Sequence, residues 1–429
     1  MSDHDSANVH HDDPHFESVS EGDVSPDLVV PELNSPESFA IALMEIAAGQ
    51  KASDIFISDE QDSTVIRFRR MGRLKIVRRL PRTYGRRLLN HFRALAGIDI
   101  ADLMHPADGR VRFNLENNRE VDVRFAVLPT TFGQDMAMRM FDHSIGMINI
   151  DDIGFLEDEK QVVHRMLTSP SGLILVAGAT GSGKTNSLYA FLHQLNNGQR
   201  KIHTLEEPIE YTLPGIQQSQ VNVRAGCDFA DLLYGCMRQS PDVIMVGEIR
   251  DRRTAETAIR AGVSGHLVLA TVHAQAATTA VQNMLSFDVN RHFLADALVG
   301  VLNQTLVRQL CTNCRVEVED PDTSQRYFIG GKCEKCDEEG FTRMTCLPEI
   351  LEATQRVAAA IARGDSADEL GRIAMEEGMM TLAQGALKRI ESGLITPEDA
   401  AMVMSDHRVR ELATLAISHM EERDRASAA

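Results

Sequence analysis

Two hydrophobic periods alternate along this chain and divide it into regions of different architecture. Residues 39–48 (FAIALMEIAA) carry the dense apolar pattern of a helix. Residues 53–58 (SDIFIS) alternate polar and apolar, as a half-buried strand does. Residues 65–68 and 74–77 flank Met71-Gly72-Arg73, a hairpin turn composition. Residues 84–96 read as a helix, and 110–113, 120–128 and 135–141 as further strands. These elements predict a small α/β unit over residues 37–145.

Beyond it the pattern changes. Residues 173–177 (LILVA) and 243–246 (VIMV) are unbroken apolar runs, the mark of parallel strands buried on both faces. A helical run over 186–195 follows the first. A third short run, 201–205, lies between them. Strands separated by helices predict an α/β core with a parallel sheet.

Composition narrows the class. At 429 residues and 43% hydrophobic, the chain is too long for one ordinary domain and rich enough for real cores. It has no apolar run long enough to span a bilayer. The acidic N-terminus lacks the basic-then-apolar pattern of a signal peptide, which predicts a cytoplasmic protein. The net charge of -18 argues against a general nucleic-acid binder.

That charge is unevenly spread. Residues 1–37 hold ten acidic residues and no Lys or Arg, and include His4, His10, His11 and His15. Low hydrophobicity and one sign of charge predict a solvated, disordered arm. Between Ile66 and Ile98 stand eleven Lys or Arg and no acid. Few aromatics interleave this block, so a protein or phosphate partner is favoured over an RNA or DNA platform. The arm is expected to serve recruitment, or to rest on residues 67–93 as an autoinhibitory cover.

The chemistry concentrates after residue 172. The run Gly178-Ala179-Thr180-Gly181-Ser182-Gly183-Lys184-Thr185 satisfies G-x-x-x-x-G-K-[ST] between a predicted strand and helix. Glycines let successive backbone N–H groups face phosphate oxygens, and the helix N-terminus adds partial positive charge. Lys184 is the candidate for the β- and γ-phosphates, and Thr185 for Mg²⁺. Glu248 follows the strand over 243–246, where a carboxylate meets ligand at the end of an open α/β sheet. Glu206, Glu207 and Glu210 crowd one short loop: either a solvated cluster or, as its position favours, a source of a catalytic carboxylate. The spacing Cys311-x2-Cys314-x18-Cys333-x2-Cys336 fits a four-thiolate structural Zn²⁺ site. Cys227 and Cys236 are expected to be buried spectators.

With these motifs in order, and with Gly265-His266-Leu267-Val268-Leu269-Ala270-Thr271-Val272-His273 after them, the chain resembles the secretion ATPases of the GspE/PulE/PilB type. Ala52-Ser53-Asp54-Ile55, Pro106-Ala107-Asp108-Gly109-Arg110 and Gly378-Met379-Met380-Thr381-Leu382 carry the likeness outside the core. The resemblance implies a RecA-like P-loop core (146–310) after a PAS-like α/β domain (37–145). A zinc element (311–346) and a helical C-terminal region (347–429) follow, with residues 1–36 as the arm. It implies ATP and Mg²⁺, a homohexameric ring, and an inner-membrane platform protein as partner, the chain sitting peripherally on the cytoplasmic face. It assigns Glu210 as the base orienting water and Glu248 to Mg²⁺. His266 and His273 become sensors of nucleotide or of the neighbouring subunit, and Arg124 and Arg139 phosphate-reaching arginines of the small domain. The tetracysteine element accompanies assembly-type relatives and is absent from PilT-like retraction ones. Glu207 stands where aspartate is usual, Phe56 for histidine, Ser240 for aspartate and Tyr234 for arginine. The large first N-terminal domain that docks relatives to their platform is not expected here. Three rival readings are a RecA-like nucleic-acid motor, a PilT-like retraction ATPase and a nucleotide-gated scaffold that does not hydrolyse.

Overall fold

The computed structural model describes residues 35–142, 148–319 and 325–428, so residues 1–34 of the expected arm lie outside the described residues. The chain divides into two compact units, with the boundary between Ser144 and Ile145.

The first unit runs α1 (Pro36–Gly49), β1 (Asp54–Asp59), β2 (Ser63–Arg70), β3 (Arg73–Pro81), α2 (Arg82–Leu95), β4 (Ala107–Leu115), β5 (Arg119–Thr130) and β6 (Gly133–Asp142). Ser35 caps α1 reciprocally with Ser38, and Pro36 supplies a preset φ at the first turn. The six strands form one antiparallel sheet in the order β3-β2-β1-β6-β5-β4. Strict alternation sends Ile55, Ile57, Val121, Val123, Phe125, Met136 and Met138 to one face, where Phe39, Leu43, Leu88 and Phe92 cover them. The other face carries arginines.

The second unit begins with α3 (Glu157–Leu167), β7 (Gly172–Ala177), α4 (Lys184–Leu195), β8 (Ile202–Glu206), β9 (Gln217–Gln220), α5 (Phe229–Met237), β10 (Val243–Val246), α6 (Arg252–Val263) and β11 (Leu267–Val272). It continues through α7 (Ala277–Ser286), α8 (Arg291–Ala297), β12 (Leu298–Leu310), β13 (Val316–Glu319), β14 (Arg326–Ile329) and β15 (Phe341–Glu352). It closes with α9 (Gln355–Arg363), α10 (Ala367–Glu376), α11 (Leu382–Glu391), α12 (Pro397–Val403) and α13 (His407–Ala428). Seven strands order as β15-β12-β7-β11-β10-β8-β9. Every neighbouring pair is parallel except β12 with β15. The central strands β7, β10 and β11 are almost wholly apolar because both faces are covered. Helices α5 to α10 pack on the side of Leu173, Leu175 and Ala177. Helices α3 and α4 pack on the side of Ile174 and Val176.

The sheet therefore takes its last strand, β15, from beyond the cysteine segment. The tail helices α11, α12 and α13 form a separate cluster with Val307, Tyr327, Ile329 and Leu347. Two buried ion pairs fasten them. Arg308 bonds both oxygens of Asp399, the nearest contact 2.7 Å. Arg389 reaches Glu159 of α3 at 2.6 and 2.9 Å and the Gly154 carbonyl at 3.0 Å.

Candidate nucleotide site and cysteine cluster

The sheet's parallel strands all point their C-terminal ends the same way, so the loops after β7, β8, β10 and β11 share one rim. The glycine-rich loop leaves β7 and enters α4 at Lys184 through Gly183, whose φ of 85° is left-handed. Gly178 also has positive φ, and a Cβ there would lie 2.4 Å from Ser182 Oγ and 2.5 Å from the Gln304 carbonyl oxygen. Thr180, Gly181 and Ser182 form the tip. The Ser182 hydroxyl is buried and finds no hydrogen-bond partner among the described residues. Lys184 folds back onto its own loop, its Nζ donating to the Gly178 and Ala179 carbonyls at 2.8 and 2.9 Å. Burial lowers the Lys184 ammonium pKa, partly opposed by the field of Glu248.

Gln304 of β12 holds this loop from beneath. Its Nε2 donates to the Ser182 carbonyl at 2.7 Å, and its Oε1 accepts from the Ser187 hydroxyl at 2.8 Å. Gln304 belongs to no motif, and β12 carries other polar residues, Asn303, Thr305, Arg308 and Gln309, so nothing in the sequence singles it out.

Glu248 leaves the end of β10 and meets two side chains. Arg250 approaches it at 2.6 Å, and His273 Nε2 lies 2.9 Å from its other oxygen. Arg250 also bonds Glu207 at 3.0 Å. The turn is fixed to β11 by the Thr271 hydroxyl on the Gly247 carbonyl, 2.5 Å, and by Ile249 N–H on the Thr271 carbonyl. His266 stands elsewhere. It precedes β11 and holds the Ala261 carbonyl at 3.0 Å. With β11 between them, the two histidines are roughly 20 Å apart at about 3.3 Å per residue. Of the two, only His273 stands on the rim with Glu248.

The three loop carboxylates separate by environment. Glu206 is buried and accepts from Tyr189, from Thr204 at 2.5 Å and from Gln218 at 3.0 Å. Burial and the Glu206 charge push the Tyr189 phenol far up. Glu206 thus anchors the loop to α4. Glu207 belongs to the Arg250 bridge, and Glu210 is half-buried with its charge felt at Tyr189.

Arg124 and Arg139 lie in the first unit as direct cross-strand partners. They form the middle of a row across the helix-free face: Arg110, Arg124, Arg139, Asp54 and Arg69. Arg139 pairs with Asp54 at 3.1 Å, and Arg124 stacks 4.3 Å from the Phe141 ring centre.

The four motif cysteines converge: their sulfurs all lie within 4.8 Å of one another. Three pairs are 3.6–3.7 Å apart. Sulfurs at the corners of a zinc tetrahedron with ~2.3 Å bonds would be about 3.8 Å apart. The Gly340 N–H donates to Cys336 sulfur at 3.2 Å, a hydrogen bond that orients it. A hydrogen bond with Asn313 draws the Cys333 thiol down to about 6. The donor set therefore fits Zn²⁺. Cys236 is buried and its thiol is raised to about 11 by burial, as suits a spectator, whereas Cys227, expected to be buried too, is only half-buried.

A phosphate-type loop before a helix, with a carboxylate two strands away in a doubly wound parallel sheet, defines a RecA-like P-loop ATPase architecture. The chain belongs to the Type II/IV secretion system protein family, whose pattern matches residues 34–412. It is 36% identical over 365 residues to the type II secretion system protein HxcR of Pseudomonas aeruginosa, covering 85% of this chain and 76% of that one. It is 36% identical over 375 residues to type II secretion system protein E of Dickeya dadantii, covering 85% and 75%. To the type IV pilus assembly ATPase PilB of Thermus thermophilus it is 35% identical over 379 residues, 85% of this chain but only 42% of that one. Among solved structures, the Legionella pneumophila ATPase DotB superposes with TM-score 0.68 at 20% identity, over 89% of this chain and 99% of that one. The pilus retraction motor PilT with bound ADP gives 0.59 at 24%, over 86% and 97%. These two likenesses concern the fold.

Proposed function

We propose that the chain hydrolyses ATP as the motor of an assembly-type machine: type II secretion, type IV pilus assembly or a related conjugative apparatus. The observation that carries this is the shared rim: Lys184, Glu248 and His273 meet there, in a chain that also gathers four cysteines. The retraction reading is weaker, because the resemblance ties the cysteine element to assembly motors and the retraction motor shares only the fold.

In this reading Lys184 exchanges its two loop carbonyls for phosphate oxygens. Burial lowers its pKa, and a bound anion would add to the opposing field of Glu248. Ser182 offers its unused hydroxyl to the same phosphates. Thr185 in the first turn of α4 and Glu248 at the end of β10 would hold Mg²⁺, which when bound neutralises phosphate charge. Glu210 orients the attacking water. The resemblance assigns Arg124 and Arg139 to the phosphates, and fixed positive charge suits that part, since positioning and electrostatics supply the acceleration. Cys311, Cys314, Cys333 and Cys336 would hold Zn²⁺, whose closed four-ligand shell suits a structural part. The working state is a homohexameric ring, bound peripherally at the inner membrane through a platform protein. Among the described residues no helix is long and apolar enough to cross a membrane.

The test is phosphate release from ATP by the wild-type chain across its assembly range. Turnover should rise with assembly and vanish in Lys184→Ala, which also weakens nucleotide binding. Turnover surviving in Lys184→Ala removes the site from the chemistry.

A further inference from the structure

The fold sorts the basic block into separate tasks. Arg67 and Arg79 pair with Glu60. Arg82 ties down the Gln61 and Phe132 carbonyls. Arg93 is buried and bonds the carbonyls of Asp99 and Asp102. Arg69 lies on the helix-free face beside Asp54. Lys75, Arg78, Arg86 and Arg87 gather on the helix-bearing side of the first unit. Lys75 and Arg78 stand opposite Phe68 and Ile66 on β3, the end strand of the sheet, and so share the helix-bearing face. Arg86 and Arg87 are exposed on α2.

The acidic segment enters the fold within this cluster. The Tyr84 hydroxyl of α2 donates to the Ser35 carbonyl at 3.2 Å. Arg78 and Arg87 both act electrostatically on Tyr84. Arg78 also lies 5.8 Å from the Phe39 ring centre on α1. Glu37 faces His91 at 4.0 Å and feels Arg87. Nine carboxylates and no Lys or Arg precede Ser35. Glu32, three residues upstream, is tethered within roughly 11 Å of Ser35.

We propose that residues 1–34 dock on the basic surface of β3 and α2 of their own chain, as an acidic cover tethered at Ser35. Tethering makes the encounter intramolecular, so opposite charges meet at high effective concentration. The tether is fixed beside Arg78 and Arg87 rather than at the far end of α1, and Lys75 follows on the same face of β3, which makes this face the natural seat. The proposal stands on charge and chain geometry and is independent of the nucleotide chemistry.

Zero-length carbodiimide coupling of the full chain tests it, since Lys75 is the one lysine of the basic block. Peptide mapping should join carboxylates of residues 1–34 to Lys75 in preference to Lys51. Lys51 is exposed at the far end of α1, roughly 20 Å from Ser35 at ~1.5 Å per residue. A mixture of isotopically heavy and light chains should show these links to be within one chain. The yield should fall several-fold between about 0.1 M and about 1 M salt, as the screening length drops from about 10 Å to about 3 Å. Arg87→Lys should add a second coupling site. Arg86→Gln with Arg87→Gln should cut Lys75 coupling several-fold while circular dichroism stays unchanged. Equal coupling to Lys51, links only between chains, no salt dependence, or no coupling to either Lys75 or the lysine in Arg87→Lys would each overturn the proposal.

Discussion

Replacing Gln304 by leucine probes how the nucleotide loop is held, without touching any motif residue. The side chain is 2% exposed, so a near-isosteric apolar replacement keeps the packing and deletes two hydrogen bonds. Their losses are unequal. The Ser187 hydroxyl can turn to the Gly183 carbonyl one helical turn back, a bond open to serine in helices. The Ser182 carbonyl has no such recourse beside a loop already bent by Gly178 and Gly183. A buried acceptor left without its donor costs about 1–3 kcal/mol. If that cost falls on the loop's nucleotide-binding shape, it weakens affinity about 5- to 150-fold. Isothermal titration with an ATP analogue measures it directly, and circular dichroism reports that the rest of the unit is intact. Unchanged affinity in the folded variant would show that the loop holds its shape without Gln304.

Arg389→Ala should destabilise the second unit by about 3–5 kcal/mol in urea unfolding, because Glu159 is left charged and buried. Pairing Arg389→Met with Glu159→Gln should recover much of it. Cys333→Ser should lose zinc by elemental analysis and loosen the segment between β12 and β15 while ATP binding persists; protein purified without chelator and lacking zinc would refute the assignment. Burial, aided by neighbouring Asp399, raises the Glu398 carboxyl pKa. An acid raised in the fold favours folding while protonated, and that stability is lost as pH climbs through the folded pKa. Glu398→Gln should therefore raise the melting temperature at neutral pH and have little effect at pH below the ordinary glutamate range. A constant difference across pH would contradict this.

Much of this molecule was legible in the sequence where chemistry and period agree locally. The loop over 178–185 sits between an apolar run and a helical one, so its setting was readable from neighbours alone. The two C-x-x-C pairs announce their own convergence, because four thiols at that spacing have few other uses. Alternation exposed the strands of the first unit, since one face is buried and the other carries arginine. What escaped depends on distant parts of the chain. β15 joins β12 only after the excursion through the cysteine segment. Arg389 finds Glu159 from 230 residues away. Glu206, Glu207 and Glu210 look alike in sequence; burial under Tyr189 makes one an anchor, and Arg250 binds another to Glu248. His266 and His273 look like a pair until the strand between them separates them by its whole length.

In the proposed reaction, bound ATP is cleaved on the rim formed by the loop, Glu210 and Glu248. Single-turnover phosphate release in the assembled chain, compared with Glu210→Gln, tests it most directly. The wild type should release phosphate with Mg²⁺ present, while Glu210→Gln binds ATP as tightly and retains it uncleaved. Normal release by Glu210→Gln would move the water-orienting role to Glu207 or Glu248, and no release by the assembled wild type would contradict the motor itself.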